Sequence, residues 1–361
     1  MTILRDVEWE EPLVETQQNP ELERWLKRRV GSVPPSMRYF LGCPPLLHME
    51  IDLEFAPLLH VDSELRGLVA LVVSQDSSCR FCYAMTRVIL SVIGMPHDQV
   101  LKLENALQAA AEDPQIQPAL EFARRISRSN PPPSAVEKQA LREAGYEDAA
   151  IKELAFAASA VVLANRIATL PALPPQHSER LADSWWVRRL RPLLAWRLRP
   201  LLERIPGPAL LEDGHERGPY AYIVQALYGL PVARALRSAL DELWTAPHTT
   251  PRTKALVFAV VARGLGSVRA EAEALRLVAE EGLAAEAAGR ILADLAGPEL
   301  DPIEAAVVPY ARATIWYEPA SIQRRGRTLL EQLTSEQFLE VVAIASLANM
   351  IARLDAVLDT P

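Results

Sequence analysis

Apolar positions recur along the chain three and four residues apart, the spacing of one face of an α-helix, and nowhere in the sustained alternation that a half-buried strand needs. Leu65, Leu68, Val69, Val72 and Val73 form one such face, and Val88, Ile89, Val92 and Ile93 form another, which stops at Gly94-Met95-Pro96. The same pattern predicts helices over Pro20–Val30, Asp98–Glu112, Gln117–Ser127, Ser134–Ala144 and Asp148–Thr169, with breaks at Asn130–Pro133 and Pro171–Pro175. The expected fold class is all-α.

The second half repeats this pattern. A shift of 188 residues sets Leu68-Val69 on Leu256-Val257, Val72-Val73 on Val260-Val261, Gly94 on Gly282, Leu107 on Leu295 and Phe122-Ala123-Arg124 on Tyr310-Ala311-Arg312. Beyond the loop at 131–133 a shift of 184 sets Leu163–Ala168 on Leu347–Ala352, as if four residues were lost where loops tolerate it. The prediction is a tandem pair of helical repeats of about 120 residues each, packed as an internal pseudo-dimer. Its parts are a lead-in over 1–45, a first repeat over 46–175, a linker over 176–230 and a second repeat over 231–361.

Composition narrows the function classes. With 361 residues, half of them apolar, the chain can bury two ordinary cores. A net charge of −8 gives no basis for nucleic-acid binding, and no uninterrupted apolar run reaches the roughly 18 residues of a transmembrane segment. The acidic start, without a secretion signal, points to a cytoplasmic protein, and three cysteines make no disulfide framework. The linker carries Trp185, Trp186 and Trp196, with Arg-Leu-Arg-Pro-Leu-Leu occurring twice. It is expected to lay Trp and Leu over the apolar faces of both repeats; binding of an anionic membrane surface or an acidic partner is the alternative.

Chemistry concentrates in Cys79-Arg80-Phe81-Cys82. Asp76, Ser77 or Ser78 can cap a helix that opens here, so Cys79 falls in its first turn, where the positive end of the helix dipole favours thiolate. Arg80 adds a positive charge, and the i, i+3 spacing brings the two sulfurs within disulfide reach. Two other readings stay open: buried core cysteines, and a zinc site completed by Cys43 with His48 or His60. No cofactor or metal is expected. In the second half Ser267, Ala270 and Ala274 stand where Cys79, Cys82 and Thr86 stand in the first, so only one half carries the site.

The run Glu64-Leu65-Arg66-Gly67-Leu68-Val69-Ala70-Leu71-Val72-Val73-Ser74, followed by Cys79-Arg80-Phe81-Cys82 and a helix ending at Gly94, resembles the carboxymuconolactone decarboxylase and alkylhydroperoxidase D-like superfamily. The resemblance implies an all-α fold of about six helices per unit, usually oligomeric, in which C-x-x-C reduces a peroxide or a disulfide and a thiol reductant restores it. It also implies a role for Asn165, a late-helix asparagine that Asn349 repeats. Thr86 stands where the peroxidase branch has a histidine, and Gly67 where it has a glutamate. Glu64, one turn from Gly67, is the candidate replacement, so the expected site is Cys79, Cys82, Glu64 and Thr86. A non-catalytic binding or structural scaffold with a degenerate site is the alternative from another class.

Overall fold

Helix starts are set by capping side chains where the sequence supplies them. Asn19 accepts the amides of Glu21 and Leu22, Pro20 occupies the first turn, and Gly31, at φ 79°, closes the far end. Capping boxes pair Ser134 with Glu137, Asp301 with Glu304 and Thr334 with Gln337. The computed structural model describes residues 4–93, 95, 115–185, 189 and 217–358, which contain sixteen α-helices and no strand. The first half holds α1 (Pro20–Val30), α2 (Pro44–Glu54), α3 (Ser63–Asp76), α4 (Arg80–Ile93), α5 (Ile116–Arg128), α6 (Ala135–Glu143), α7 (Asp148–Thr169) and α8 (Gln176–Asp183). The second holds α9 (Ala221–Ala226), α10 (Pro231–Thr245), α11 (Pro251–Leu265), α12 (Val268–Glu280), α13 (Ala285–Asp294), α14 (Pro302–Ala313), α15 (Pro319–Leu329) and α16 (Ser335–Asp355). The helix expected over Asp98–Glu112 lies outside the described residues.

The two longest helices, α7 and α16, lie against each other and are buried along almost their whole length. Helices α3, α4 and α5 pack on α7, α11 and α12 pack on α16, and α2 bridges the halves by touching α7, α10 and α16. Helix α16 is long and apolar enough to cross a membrane, but 94% of its most apolar window is covered by protein, as in a core helix.

Local geometry recurs between the halves. Asp62 and Thr250, 188 residues apart, cap α3 and α11. Ser78 (φ 52°) and Gly266 (φ 69°) both turn left-handed, and the next residue donates its amide five residues back, Cys79 to Ser74 O at 3.1 Å and Ser267 to Ala262 O at 2.9 Å. Buried Glu153 accepts the amides of Leu59 and His60, both at 2.7 Å, and buried Glu340 accepts those of His248 and Thr249, both at 2.9 Å. Arg66 Nη1 donates to Ala56 O at 2.8 Å and Lys254 Nζ to Trp244 O at 3.2 Å. Across the junction, Arg166 Nη2 reaches Ile315 O at 2.8 Å while Arg353 Nε reaches Ser127 O at 3.3 Å.

The last long helix departs from the expected register. Helices α7 and α16 begin at Asp148 and Ser335, an offset of 187 rather than 184, which sets Glu153 on Glu340 and Arg166 on Arg353. Asn165 therefore has no partner in Asn349. Asn165 holds Ser74 Oγ and Val73 O, whereas Asn349 bonds Thr314 Oγ1 and Arg353. A slip of three residues is close to one helical turn, so it preserves the apolar face that the alignment was read from.

Residues 7–13 run over both halves. Val7 O accepts from Arg80 at 3.1 Å and Trp9 Nε1 donates to Leu173 O at 2.9 Å, while the Glu10 amide donates to Gln323 of α15 at 2.9 Å and Arg324 pairs with Glu8 and Glu10. Of the linker tryptophans, Trp185 is 53% exposed, and Trp186 and Trp196 lie outside the described residues.

Candidate functional site

The turn between α3 and α4 delivers the thiols. Ser78 in the left-handed region reverses the chain, Ser74 O and Asn165 hold the outgoing end of α3, and Cys79 becomes the residue that caps α4, its carbonyl accepting the Tyr83 amide at 2.9 Å. The Cys79 sulfur takes the part that a serine or aspartate oxygen plays at other helix starts, accepting the Cys82 amide at 3.3 Å. The Cys79 thiol donates to Cys82 Sγ at 2.7 Å, and the Cys82 thiol is directed to Ala164 O of α7 at 3.8 Å. Cys79 is wholly buried and Cys82 partly exposed, so a reactant meets Cys82 first. Burial, the hydrogen bond to Cys79 and the nearby Cys79, Glu50 and Glu54 charges push the Cys82 thiol well above its ordinary range, which keeps the proton on Cys82.

Two carboxyls that local sequence reading missed act electrostatically on this pair. Glu50 and Glu54 sit one turn apart on α2, and they share a hydrogen bond. Burial, then the charge of Glu54 and that hydrogen bond, push Glu50 well above the carboxylate range, with the Cys79 charge adding to the shift. The Glu50 Oε2 oxygen is buried and accepts from no described donor, as fits a neutral acid. Burial also raises Glu54, against Arg66 and the Glu50 hydrogen bond, which favour its ionised form. A signal was present: a spacing of four puts both acids on one face of the otherwise apolar run Leu46, Leu47, Met49, Ile51, Leu53.

Glu54 and Arg66 line a cavity of about 120 Å³ together with Gly67, Thr86, Ile89 and Ala160. The two positions where the resembled family carries its histidine and glutamate are thus both on the wall of one cavity, and their small side chains leave it open. From the second half, the Tyr317 hydroxyl lies within electrostatic range of both sulfurs. Burial raises its hydroxyl, Cys79 and Cys82 add to the rise, and Arg166, 5.4 Å from the ring, opposes it. No local pattern around Tyr317 announces it.

Other expected groups are elsewhere. Glu64 is exposed on the first turn of α3, about 18 Å along that helix from its thiol-bearing end. Arg80 is committed to Glu179 of α8 through two hydrogen bonds of 3.0 and 3.1 Å, so a carboxylate balances its charge. Cys43 caps α2, where burial pushes its thiol up to about 12 and its charged neighbours are Glu340, Glu242 and Glu336. His48 pairs with Glu242 at 2.6 Å and His60 is exposed, so neither is brought to the Cys79–Cys82 pair. No family model, curated protein or solved structure matches the chain.

Proposed function

We propose that the chain is a thiol-dependent oxidoreductase that reduces a peroxide or a disulfide at Cys79 and Cys82, and that it is built from two copies of an alkylhydroperoxidase D-like helical unit packed as an internal pseudo-dimer. The observation that carries the chemistry is the pair itself: two sulfurs 2.7 Å apart at a helix start, with Cys79 Sγ accepting the Cys82 amide and donating to the Cys82 sulfur. A disulfide needs only a closure of about 0.7 Å from there. The duplicated architecture is supported by the repeated turns and buried acids, and by the exchange of Arg166 and Arg353 across the junction, each reaching the carbonyl equivalent to the other's.

Cys82, the less buried sulfur, attacks the peroxide or disulfide, its proton leaves with the expelled alkoxide or thiolate, and Cys79 then resolves the Cys82 sulfenic acid or mixed disulfide, its own proton leaving with the hydroxide or second thiolate that it displaces. A thiol reductant reopens the bond. Mass spectrometry of the protein after one equivalent of hydroperoxide should show loss of two hydrogens in a peptide spanning 79–82, and Cys82→Ser should abolish both that disulfide and turnover. Thiols that stay unoxidised in the folded protein would instead make this a binding scaffold.

A further inference from the structure

Two buried guanidinium groups meet where the halves join, and neither is neutralised. Arg166 is 3% exposed and Arg353 1%, and their Nη2 atoms both donate to Ile315 O, at 2.8 and 3.2 Å. Among the described residues no carboxylate acts on either; Tyr317 is the acidic group near both, and Arg166 itself bears on Arg353. Arginine stays charged when buried, so the junction holds two uncompensated positive charges. The other buried cations among the described residues are balanced: Lys254 faces Glu340 at 3.5 Å, and Arg237 pairs with Asp241 at 2.7 Å.

Arg166 also lines a cavity of about 320 Å³, together with Ile315, Trp316, Tyr317, Arg128 and Asp76. A guanidinium carries five N–H donors. Three of Arg166's go to Thr314 O, Val162 O and Ile315 O, which leaves two without a described acceptor. Asp76 offers the opposite. Its Oδ1 takes Arg128 Nη2 at 2.7 Å, which balances its charge, while Oδ2 is buried with no described donor, on a side chain 7% exposed. We infer that this cavity binds a small organic dianion that also carries a hydroxyl, either a hydroxydicarboxylate or the phosphate monoester of a polyol. Its anionic head takes the free N–H groups of Arg166, with Arg353 behind them supplying the second positive charge, and its hydroxyl donates to Asp76 Oδ2. The volume suits an organic occupant, since pockets for such ligands begin at about 300 Å³, and half-exposed Trp316 lies on the wall. This site goes beyond the thiol reading and does not depend on it.

The experiment titrates the reduced protein calorimetrically, in Tris-chloride, with L-malate, succinate, glycerol 3-phosphate and propyl phosphate, the second and fourth lacking the hydroxyl. At least one hydroxylated anion should bind once per chain at submillimolar concentration, about fivefold or more tighter than its counterpart without the hydroxyl. The tighter of malate and glycerol 3-phosphate identifies the head group as carboxylate or phosphate. Arg166→Gln should weaken that binding on the order of tenfold or more, and Asp76→Ala should erase the preference for the hydroxyl while strengthening the anion that lacks it. Absence of binding by all four at millimolar concentration, equal affinity with and without the hydroxyl, or unchanged affinity in Arg166→Gln would overturn the assignment. If Arg166→Gln does not fold, the exposed Arg128→Gln decides. It leaves the Asp76 carboxylate unbalanced on the cavity wall and should weaken binding about threefold, and unchanged affinity there would overturn the assignment as well.

Discussion

The two halves share a frame and differ in what occupies it. Glu153 and Glu340 do one job, each neutralising two loop amides ahead of α3 or α11, and Arg66 and Lys254 both reach back to the carbonyl that follows α2 or sits near the end of α10. These buried charges occur in both halves and so belong to the frame. A charged group bonded to two amides contributes on the order of a few kcal/mol, and a loop that lost it would be left with orphan donors. At the offset of 188 residues, Cys79, Cys82, Glu50 and Thr86 fall on Ser267, Ala270, Ser238 and Ala274. The turn geometry survives there without sulfur: Ser267 occupies the cap position of α12 and its hydroxyl donates to Asp355 at 2.5 Å. A buried acid is therefore no mark of function in this chain.

The largest expected effect comes from rebuilding the missing chemistry. In a Cys79→Ser/Cys82→Ser background, the double variant Ser267→Cys/Ala270→Cys should form a disulfide with a strong oxidant, because the helix start and the i, i+3 spacing are present. Its hydroperoxide turnover should be on the order of 10²-fold below that of the natural pair, since Asp355 beside Ser267 opposes thiolate. Turnover equal to the natural site, measured by peroxide consumption, would break the distinction drawn between the halves.

A middle-sized effect is expected in the pH dependence of stability. Glu50 binds its proton more tightly folded than unfolded, so its contribution is present below the ordinary carboxylate pKa and is lost as pH rises through the elevated folded value. Glu54, raised in the same direction, adds to this slope; Arg66 and Glu153 are the other charges nearby, with Cys79 and Cys82 facing Glu50. Melting temperature should fall between about pH 5 and pH 8 in the wild type and fall less in Glu50→Gln. A steeper slope in the variant would contradict a neutral Glu50.

The smallest effect lies at the left-handed turn. Gly266 adopts φ 69° without cost to a side chain, whereas Ser78 holds φ 52° with one. Ser78→Gly should raise the urea midpoint by the equivalent of up to about 1 kcal/mol, the gain at φ > 0 being offset in part by the freer unfolded chain. Gly266→Ser should lower it. Opposite signs at either position would mean that the two turns are not alike.

Much of the fold was legible because its boundaries are local. Asn19-Pro20 and Gly31 bracket α1, and α7 runs from Asp148 to Thr169 as its apolar period indicates. The thiol pair was legible for the same reason, as two residues on one turn. The register of α16 was not, because apolar periodicity is nearly unchanged by a three-residue slip and only the buried Glu340 and Arg353 fix it. Nor were the groups whose charges act on the pair, since Glu50 lies about 30 residues before Cys79 and Tyr317 far beyond it, and proximity in sequence pointed to Glu64 and Arg80, which have other positions and partners.

The segment over 7–13 has a consequence for the order of events during synthesis. It is made before α1, yet Glu10 bonds Gln323 and Glu8 pairs with Arg324, both on α15, whose residues are added more than 300 positions later. A nascent chain halted after α8 has the cysteines but lacks the α15 anchor of this segment, whose Val7 carbonyl holds Arg80 beside Cys79. The start of the thiol-bearing helix is therefore fully clamped only after α15 has been translated and has met the segment over 7–13.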